Sequence, residues 1–287
     1  MMRIAPTLLV LAASLLSAPV ARALNEYGIE GMSVVSSRAD EGRATISADG
    51  QRIVFARRGE AGWGLWQAHL IDGRWQQAQP LAVALAGEVR DPYFSRDGRW
   101  LLFAAGGEDR LALYRAAVAA DGGLGAPQAL ASDAGRRPER GPALSADGRR
   151  LLFARQQGRG AGWNLFVADV DAQGRRATAT ALDALNSAAD ETDADWLGAD
   201  GAVAFARSTG NGSQVWTAAC AGTGAALQLL GLSFNQGSGW TGAPVVDNAK
   251  PGEMLVASSA AKAPRAGGVD VYRLAVPKGV AVAGCLP

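Results

Sequence analysis

Ser47-Ala48-Asp49-Gly50-Gln51-Arg52-Ile53-Val54-Phe55 returns as Ser95-Arg96-Asp97-Gly98-Arg99-Trp100-Leu101-Leu102-Phe103, and again as Ser145-Ala146-Asp147-Gly148-Arg149-Arg150-Leu151-Leu152-Phe153. A worn copy follows at Gly198-Ala199-Asp200-Gly201-Ala202-Val203-Ala204-Phe205, and a fainter one at Pro251-Gly252-Glu253-Met254-Leu255-Val256. The aspartates of the first four copies lie 48, 50 and 53 residues apart. A fixed period of this size marks a repeat architecture. Asp-Gly between apolar runs is a hairpin signal, because the turn asks for φ > 0, which Gly adopts freely and Asp tolerates.

Working outward, each phrase sits inside a unit of about 50 residues. A short apolar segment precedes the turn (Pro92-Tyr93-Phe94, Pro142-Ala143-Leu144, Asp195-Trp196-Leu197), and a strand ending in Phe-Ala follows it. An aromatic-rich third run comes next (Leu65-Trp66-Gln67-Ala68, Leu113-Tyr114-Arg115-Ala116, Leu165-Phe166-Val167-Ala168, Val215-Trp216-Thr217-Ala218, Val271-Tyr272-Arg273-Leu274). A weaker fourth run closes the unit, as at Gln79-Pro80-Leu81, Gln128-Ala129-Leu130 and Thr180-Ala181-Leu182. Four short strands form one antiparallel sheet that cannot bury both faces alone, so the copies must stack, and radial stacking makes a β-propeller. A β-sandwich would not repeat one phrase in one order, and helical solenoids need a 3.6-residue period that these runs lack. The expected fold is all-β, a propeller of four-stranded antiparallel blades, with five blades favoured over six. Met32-Ser33-Val34-Val35-Ser36 is expected to serve as an outermost strand that completes the last blade and removes the open edge.

Residues 1–23 read as a signal peptide: Arg3, an apolar stretch from Thr7 to Ser17, and the small-x-small pattern Ala21-Arg22-Ala23. The apolar stretch is short for a bilayer span and no later one qualifies, so no stable membrane insertion is expected. Residues 24–287 then form a single propeller domain, periplasmic or secreted. The full chain has 28 Lys+Arg against 27 Asp+Glu; losing Arg3 and Arg22 leaves 26 against 27, near −1. That balance argues against a nucleic-acid partner held by phosphate contacts. The two cysteines, Cys220 and Cys285, are expected to pair in an oxidising compartment. Chain-entropy arithmetic gives that disulfide about 4 kcal/mol as an upper value.

In a propeller the loops before the first strand and after the second emerge on one face, where binding residues gather. Here the loops before the first strand carry Asp40, Glu41, Arg43, Glu88, Arg90, Asp91, Glu139, Arg140 and Asp193, and those after the second carry Arg57, Arg155 and Arg207. The three arginines hold one repeat position and are expected to pair with neighbouring acids, or else to grip a polar ligand. Trp63 and Trp163 close equivalent loops and Trp240 precedes the last copy; indoles there can anchor a partner or pack between blades. The candidate ligand-binding set is therefore Arg57, Trp63, Arg90, Asp91, Arg140, Arg155, Trp163, Asp193, Arg207 and Trp240. Asp190-Glu191-Thr192-Asp193-Ala194-Asp195 reads as a solvated acidic loop rather than a calcium loop, since it lacks the Gly turn and terminal Glu.

Catalytic signatures are sparse. The one histidine, His69, has no companion ligands for a metal, no Gly-x-Ser-x-Gly elbow occurs, and no phosphate-binding Gly-rich loop precedes a helix. Ser47, Ser95 and Ser145 are explained as hydroxyls that cap hairpin turns. A paired-carboxylate glycosidase remains the one enzymatic alternative, though no two carboxylates stand out. No cofactor, metal or catalytic residue is assigned.

The pattern Pro-x-[Leu/Phe]-Ser-x-Asp-Gly-Arg-x-Leu-Leu-Phe, best at Pro92–Phe103 and Pro142–Phe153, resembles the TolB-type bacterial propeller repeat. Leu185-Asn186-Ser187-Ala188-Ala189-Asp190-Glu191 is similar to a blade-joining loop of that group. The resemblance covers roughly residues 32–275, and its motifs speak for fold rather than activity. It implies a non-catalytic envelope protein that binds a protein or peptide partner, here as the propeller without the N-terminal domain of TolB. The competing expectation is a propeller that binds or cleaves glycans with rim carboxylates and indoles.

Overall fold

The computed structural model describes residues 30–130, 137–158, 161–198, 201–222, 226–236, 238–260 and 265–277. The expected signal peptide, Ala199-Asp200 of the fourth repeated phrase and Cys285 lie outside them, and with Cys285 the expected bridge to Cys220. Strand β1 is Glu30–Gly31. The first sheet contains β2 (Glu41–Ile46), β3 (Arg52–Gly59), β4 (Gly62–Ile71), β5 (Arg74–Trp75) and β6 (Gln79–Pro80). The second contains β7 (Val89–Phe94), β8 (Trp100–Ala105), β9 (Ala112–Ala117) and β10 (Gln128–Ala129). The third contains β11 (Glu139–Leu144), β12 (Arg150–Gln156), β13 (Trp163–Asp169) and β14 (Thr180–Ala181). The fourth contains β15 (Glu191–Trp196), β16 (Val203–Thr209), β17 (Gly212–Ala218) and β18 (Leu227–Leu229). The last contains β19 (Gly239–Val246), β20 (Glu253–Ser258) and β21 (Asp270–Ala275), with β1 added antiparallel through Glu30↔Arg273 and Gly31↔Tyr272. The fold is thus all-β, built of antiparallel four-stranded sheets.

The repeated turn does its work through side chains. In the first copy Ser47 N donates to Arg52 O at 2.8 Å and Gly50 N to Ser47 O at 2.9 Å. The Ser47 hydroxyl donates to Asp49 Oδ1 at 2.5 Å and accepts from Arg52 N at 3.0 Å. Ser95 with Asp97 and Ser145 with Asp147 repeat this, which is the capping role expected of the serines. Only the glycine takes φ > 0 (Gly50 +73°, Gly98 +70°, Gly148 +70°), so the aspartates are not left-handed as expected. The turn is a type I turn followed by a left-handed glycine, a longer hairpin loop than the two-residue form.

The apolar residues that follow pack sheet against sheet. Phe55, Phe103, Phe153 and Phe205 are fully buried at one repeat position, each stabilising by about 1.5–3 kcal/mol on apolar burial. One cluster joins the second, third and fourth sheets, and another the first and second. A third joins Ile46 and Phe55 of the first sheet to Leu255 and Val271 of the last. The fourth and fifth sheets also meet through a short parallel ladder, Gly212↔Gly239 and Ser213↔Trp240.

Two expectations are corrected here. Met32–Ser36 is not a strand: Val35 N and Ser36 N both donate to Met32 O, forming a turn, and the added strand is two residues earlier. The acidic stretch is not a solvated loop either, for Glu191–Trp196 is β15 with Glu191, Asp193 and Asp195 buried. Inner strands of radially arranged sheets face one another rather than water, so polar residues there escape an alternation test.

Candidate functional site

Each innermost strand breaks its ladder at the same place. Register shifts fall between Glu41 and Ala44, Arg90 and Tyr93, Arg140 and Ala143, Thr192 and Asp195, and Gly242 and Val245. These are β-bulges, which bend a strand and re-aim one side chain. The equivalent bulge residues are Arg43, Asp91, Gly141, Asp193 and Ala243, and the last four take φ of +56°, +63°, +53° and +52°. A Cβ on Gly141 would stand 3.2 Å from both Arg43 Nη1 and the Asp193 backbone, so glycine makes room for its neighbours' charges.

The bulges bring a polar cluster together. Arg140 lies between two carboxylates, Nε 3.3 Å from Asp91 Oδ2 and Nη2 3.4 Å from Asp193 Oδ1. Gly141 N donates to Asp91 Oδ2 at 3.2 Å, and Arg43 Nη2 donates to Ala194 O at 3.2 Å. Arg140 also stands 5.8 Å over the Trp163 ring. Arg90 reaches outward to Glu108, Nη2 to Oε1 3.0 Å. Deeper, Asp195 accepts from Val246 N at 2.7 Å and Trp196 N at 2.8 Å, and the Tyr93 hydroxyl donates to Leu144 O at 3.0 Å.

Electrostatics follow from this placement. Burial works to raise the Asp91 pKa, but Arg140, Arg90 and Arg43 outweigh it and hold the carboxyl below its ordinary value. Arg140 is likewise disfavoured by burial yet held above its ordinary value by Asp91 and Asp193. Asp195 goes the other way: burial raises it despite Arg43 and the two backbone donors. Burial and nearby Asp195 push Tyr93 well up.

Of the sequence-predicted residues, Arg90, Asp91, Arg140, Trp163 and Asp193 converge on this cluster. The repeated arginines do not. Arg57, Arg155 and Arg207 pair within their own sheets with Glu41, Glu139 and Glu191 at 2.7–2.8 Å. Each also lies over its own sheet's aromatic rings, as Arg57 does at 4.4 Å from Trp66. Glu41, Arg43, Arg90, Asp91, Glu139, Arg140 and Asp193 were expected on loops; all are on the inner strands β2, β7, β11 and β15. The indoles are also on strands rather than loops. Trp63 begins β4 against Gly42, Trp163 begins β13 with its backbone N donating to Asp190, and Trp240 is on β19 with its backbone N donating to Ser259. All three are half-buried.

Sequence reasoning passed over Tyr93, placed Asp195 among solvated loop carboxylates and treated Arg43 as a rim charge. Their signal was register: Arg43, Asp91 and Gly141 each stand four residues before the repeated serine, Ser47, Ser95 or Ser145, and Asp193 stands five before Gly198. Among the described residues no three His, Cys, Asp or Glu side chains gather to hold a metal ion. His69 is exposed on β4 opposite Arg52. No described helix is long and apolar enough to cross a membrane.

No protein-family model matches the chain, and no curated protein matches it. Solved structures do. The chain is similar to a TolB-like protein from Agrobacterium tumefaciens at 15% identity and a TM-score of 0.54, over 85% of this chain and 86% of that one. It is similar to a luciferin-regenerating enzyme at 11% identity and a TM-score of 0.53, over 90% and 98%. TolB from Acinetobacter baumannii matches at 16% identity and a TM-score of 0.45, over 61% of this chain, which spans only 40% of that protein. The first two likenesses support a propeller scaffold, one of them TolB-like. They speak for fold alone, since the scaffold carries both binding proteins and enzymes.

Proposed function

We propose that this chain is an exported, non-catalytic five-bladed propeller that acts as a binding or scaffold module in the bacterial cell envelope. It engages a protein or peptide partner through the face carrying the loops after the second strands. Five inner strands, with β2 packed against β19 and β20, support a ring closed at the β1–β21 pair. The leader-like residues 1–23 support export.

One observation carries the binding reading: the charges at the inner-strand bulges are locked into one another. A glycosidase pair needs one carboxyl kept protonated beside a second facing an open site. Asp91 and Asp193 instead share the Arg140 guanidinium, and Asp91 is held below the ordinary range. The groups left to meet a partner are the exposed charges Arg58 at the end of β3, Glu60, Arg110 and Arg265. Rim charges of this kind govern partner choice and encounter rate more than raw affinity.

The test is cross-linking of the mature protein in an envelope fraction, beside an Arg58→Glu/Arg110→Glu variant. A cross-linked species that weakens in the variant, while the melting temperature stays put, supports the reading. Turnover of aryl glycosides that disappears in Asp193→Asn would overturn it.

A further inference from the structure

On the opposite face, at the ends carrying the Ser-x-Asp-Gly turns, a cleft of about 920 Å3 opens between the second and third sheets. That volume lies within the range of small-molecule sites, about 300–1,000 Å3. The turns Ser95–Arg99 and Ser145–Arg150 and the loop Asp169–Ala177 form its walls. Seven arginines and four aspartates line it, an excess of three positive charges on a chain whose total is +1.

The aspartates are occupied locally. Asp97 accepts from the Ser95 hydroxyl, Arg99 N and Arg99 Nε. Asp147 accepts from the Ser145 hydroxyl and Arg149 N, and Asp171 from Gln173 N, Arg175 N and Arg175 Nε. Asp169 stands 3.8 Å from Arg150 Nε with most of its side chain in water. Arg99, Arg115, Arg175 and Arg176 are partnered too, but Arg96, Arg149 and Arg150 are under-used by comparison. Arg96 makes one long bond, Nη2 to Trp196 O at 3.4 Å, and its Nε is buried with no hydrogen-bond partner; Arg150 Nη1 is in the same state. The Arg149 side chain has no hydrogen bond or ion pair among the described residues and is exposed. A buried N–H left unpaired costs free energy that an anionic oxygen would recover. Behind these groups lies an apolar floor of Leu102, Leu130, Leu144 and Val170, beside Trp100, whose ring carries the Arg115 guanidinium at 4.0 Å.

We propose that this cleft binds a small organic polyanion, a molecule with two or more carboxylate or phosphate groups on a compact skeleton. Arg96, Arg149 and Arg150 take the anionic oxygens, since the planar guanidinium fork matches both groups bidentately. The apolar floor takes the skeleton. This site is separate from the loop face, so either proposal can fail alone.

The experiment is calorimetric titration of the mature protein with citrate and, separately, with pyrophosphate, in about 0.05 M NaCl. Binding of either with a Kd below about 1 mM is expected, and which probe binds tells carboxylate from phosphate. Arg149→Ala/Arg150→Ala should weaken it by about tenfold or more, and Arg38→Ala, exposed ahead of β2 and outside the cleft, should leave it unchanged. Should that double variant fail to melt cooperatively, Arg150→Lys with Arg149→Ala keeps one charge while removing the fork, and the same weakening is expected. No binding up to about 10 mM of either probe, or equal affinity in wild type and variants, overturns the proposal.

Discussion

Asn235 shows what one residue can hold. Its Oδ1 accepts from Val215 N at 2.7 Å, and its Nδ2 donates to Val215 O at 2.8 Å and to Leu230 O at 2.9 Å, all buried. The side-chain amide therefore stands in for a strand. Asn186 repeats the two-point clamp on Leu165. Asn235→Ala strands the buried Val215 N–H, while Val215 O keeps Leu230 N and Leu230 O keeps Leu232 N, and a loss of about 1–3 kcal/mol is expected by urea denaturation. Asp91 answers to pH. Its folded pKa lies below its unfolded one, so its stabilisation is fully present above about pH 4 and is lost as pH falls through the folded value. Asp91→Asn keeps a residue that tolerates positive φ but leaves Arg140 with Asp193 alone. The variant should lose about 2–3 kcal/mol at pH 7, a discount on a fully buried pair because Arg140 is part exposed. Between pH 6 and 3 its stability should fall less steeply than that of the wild type. Asp195, with its raised pKa, works in the opposite sense in both proteins, so it leaves their difference intact. A variant curve as steep as the wild type's would remove Asp91 from this role.

At the scale of elements, the second and third strands of each sheet, and the fourth strands of the first three, were legible because turns and apolar runs announce them. Ser95 to Phe103 declares its hairpin in nine residues. The inner strands were misplaced for a physical reason: Asp91 and Asp193 serve a bulge, and a bulge interrupts the alternation that identifies a strand. The linker Ser37-Arg38-Ala39-Asp40-Glu41 went unnoticed as a copy of Ser187-Ala188-Ala189-Asp190-Glu191. Both serines donate through N and Oγ to the glutamate that pairs with Arg57 or Arg207. Those arginines then donate to Val35 O and Leu185 O. Such motifs bind a turn to a strand without an apolar residue, so hydrophobic patterning is blind to them. Strand β1 gives the element-scale prediction. Its pairing extends through Met32 N to Val271 O, and Tyr272 packs fully buried behind it. A protein beginning at Ser33 exposes the β21 edge, and size-exclusion chromatography should show self-association, as open edges invite. A monomer with unchanged melting temperature would deny β1 that function.

Over the whole molecule, the architecture could be read from one repeated phrase, while the candidate sites could not. A turn motif records how chain reverses, whereas the cleft between the second and third sheets exists only once arginines from four separate segments are brought side by side. The cysteine pairing also belongs to this scale. Titration of thiols in the denatured, unreduced mature protein should find none free, and two reactive groups would exclude the Cys220–Cys285 link.

The seam at Gly212 and Gly239 has a mechanical consequence. A Cβ on Gly212 would sit 1.9 Å from Gly239 O, so only a bare backbone lets these neighbours zip directly. Gly212→Ala should pry them apart at about 1–3 kcal/mol. Pulled from its ends, the intact chain would surrender its last two modules as one welded block, whereas the earlier ones, glued only by greasy contacts and scattered bonds, would come away singly.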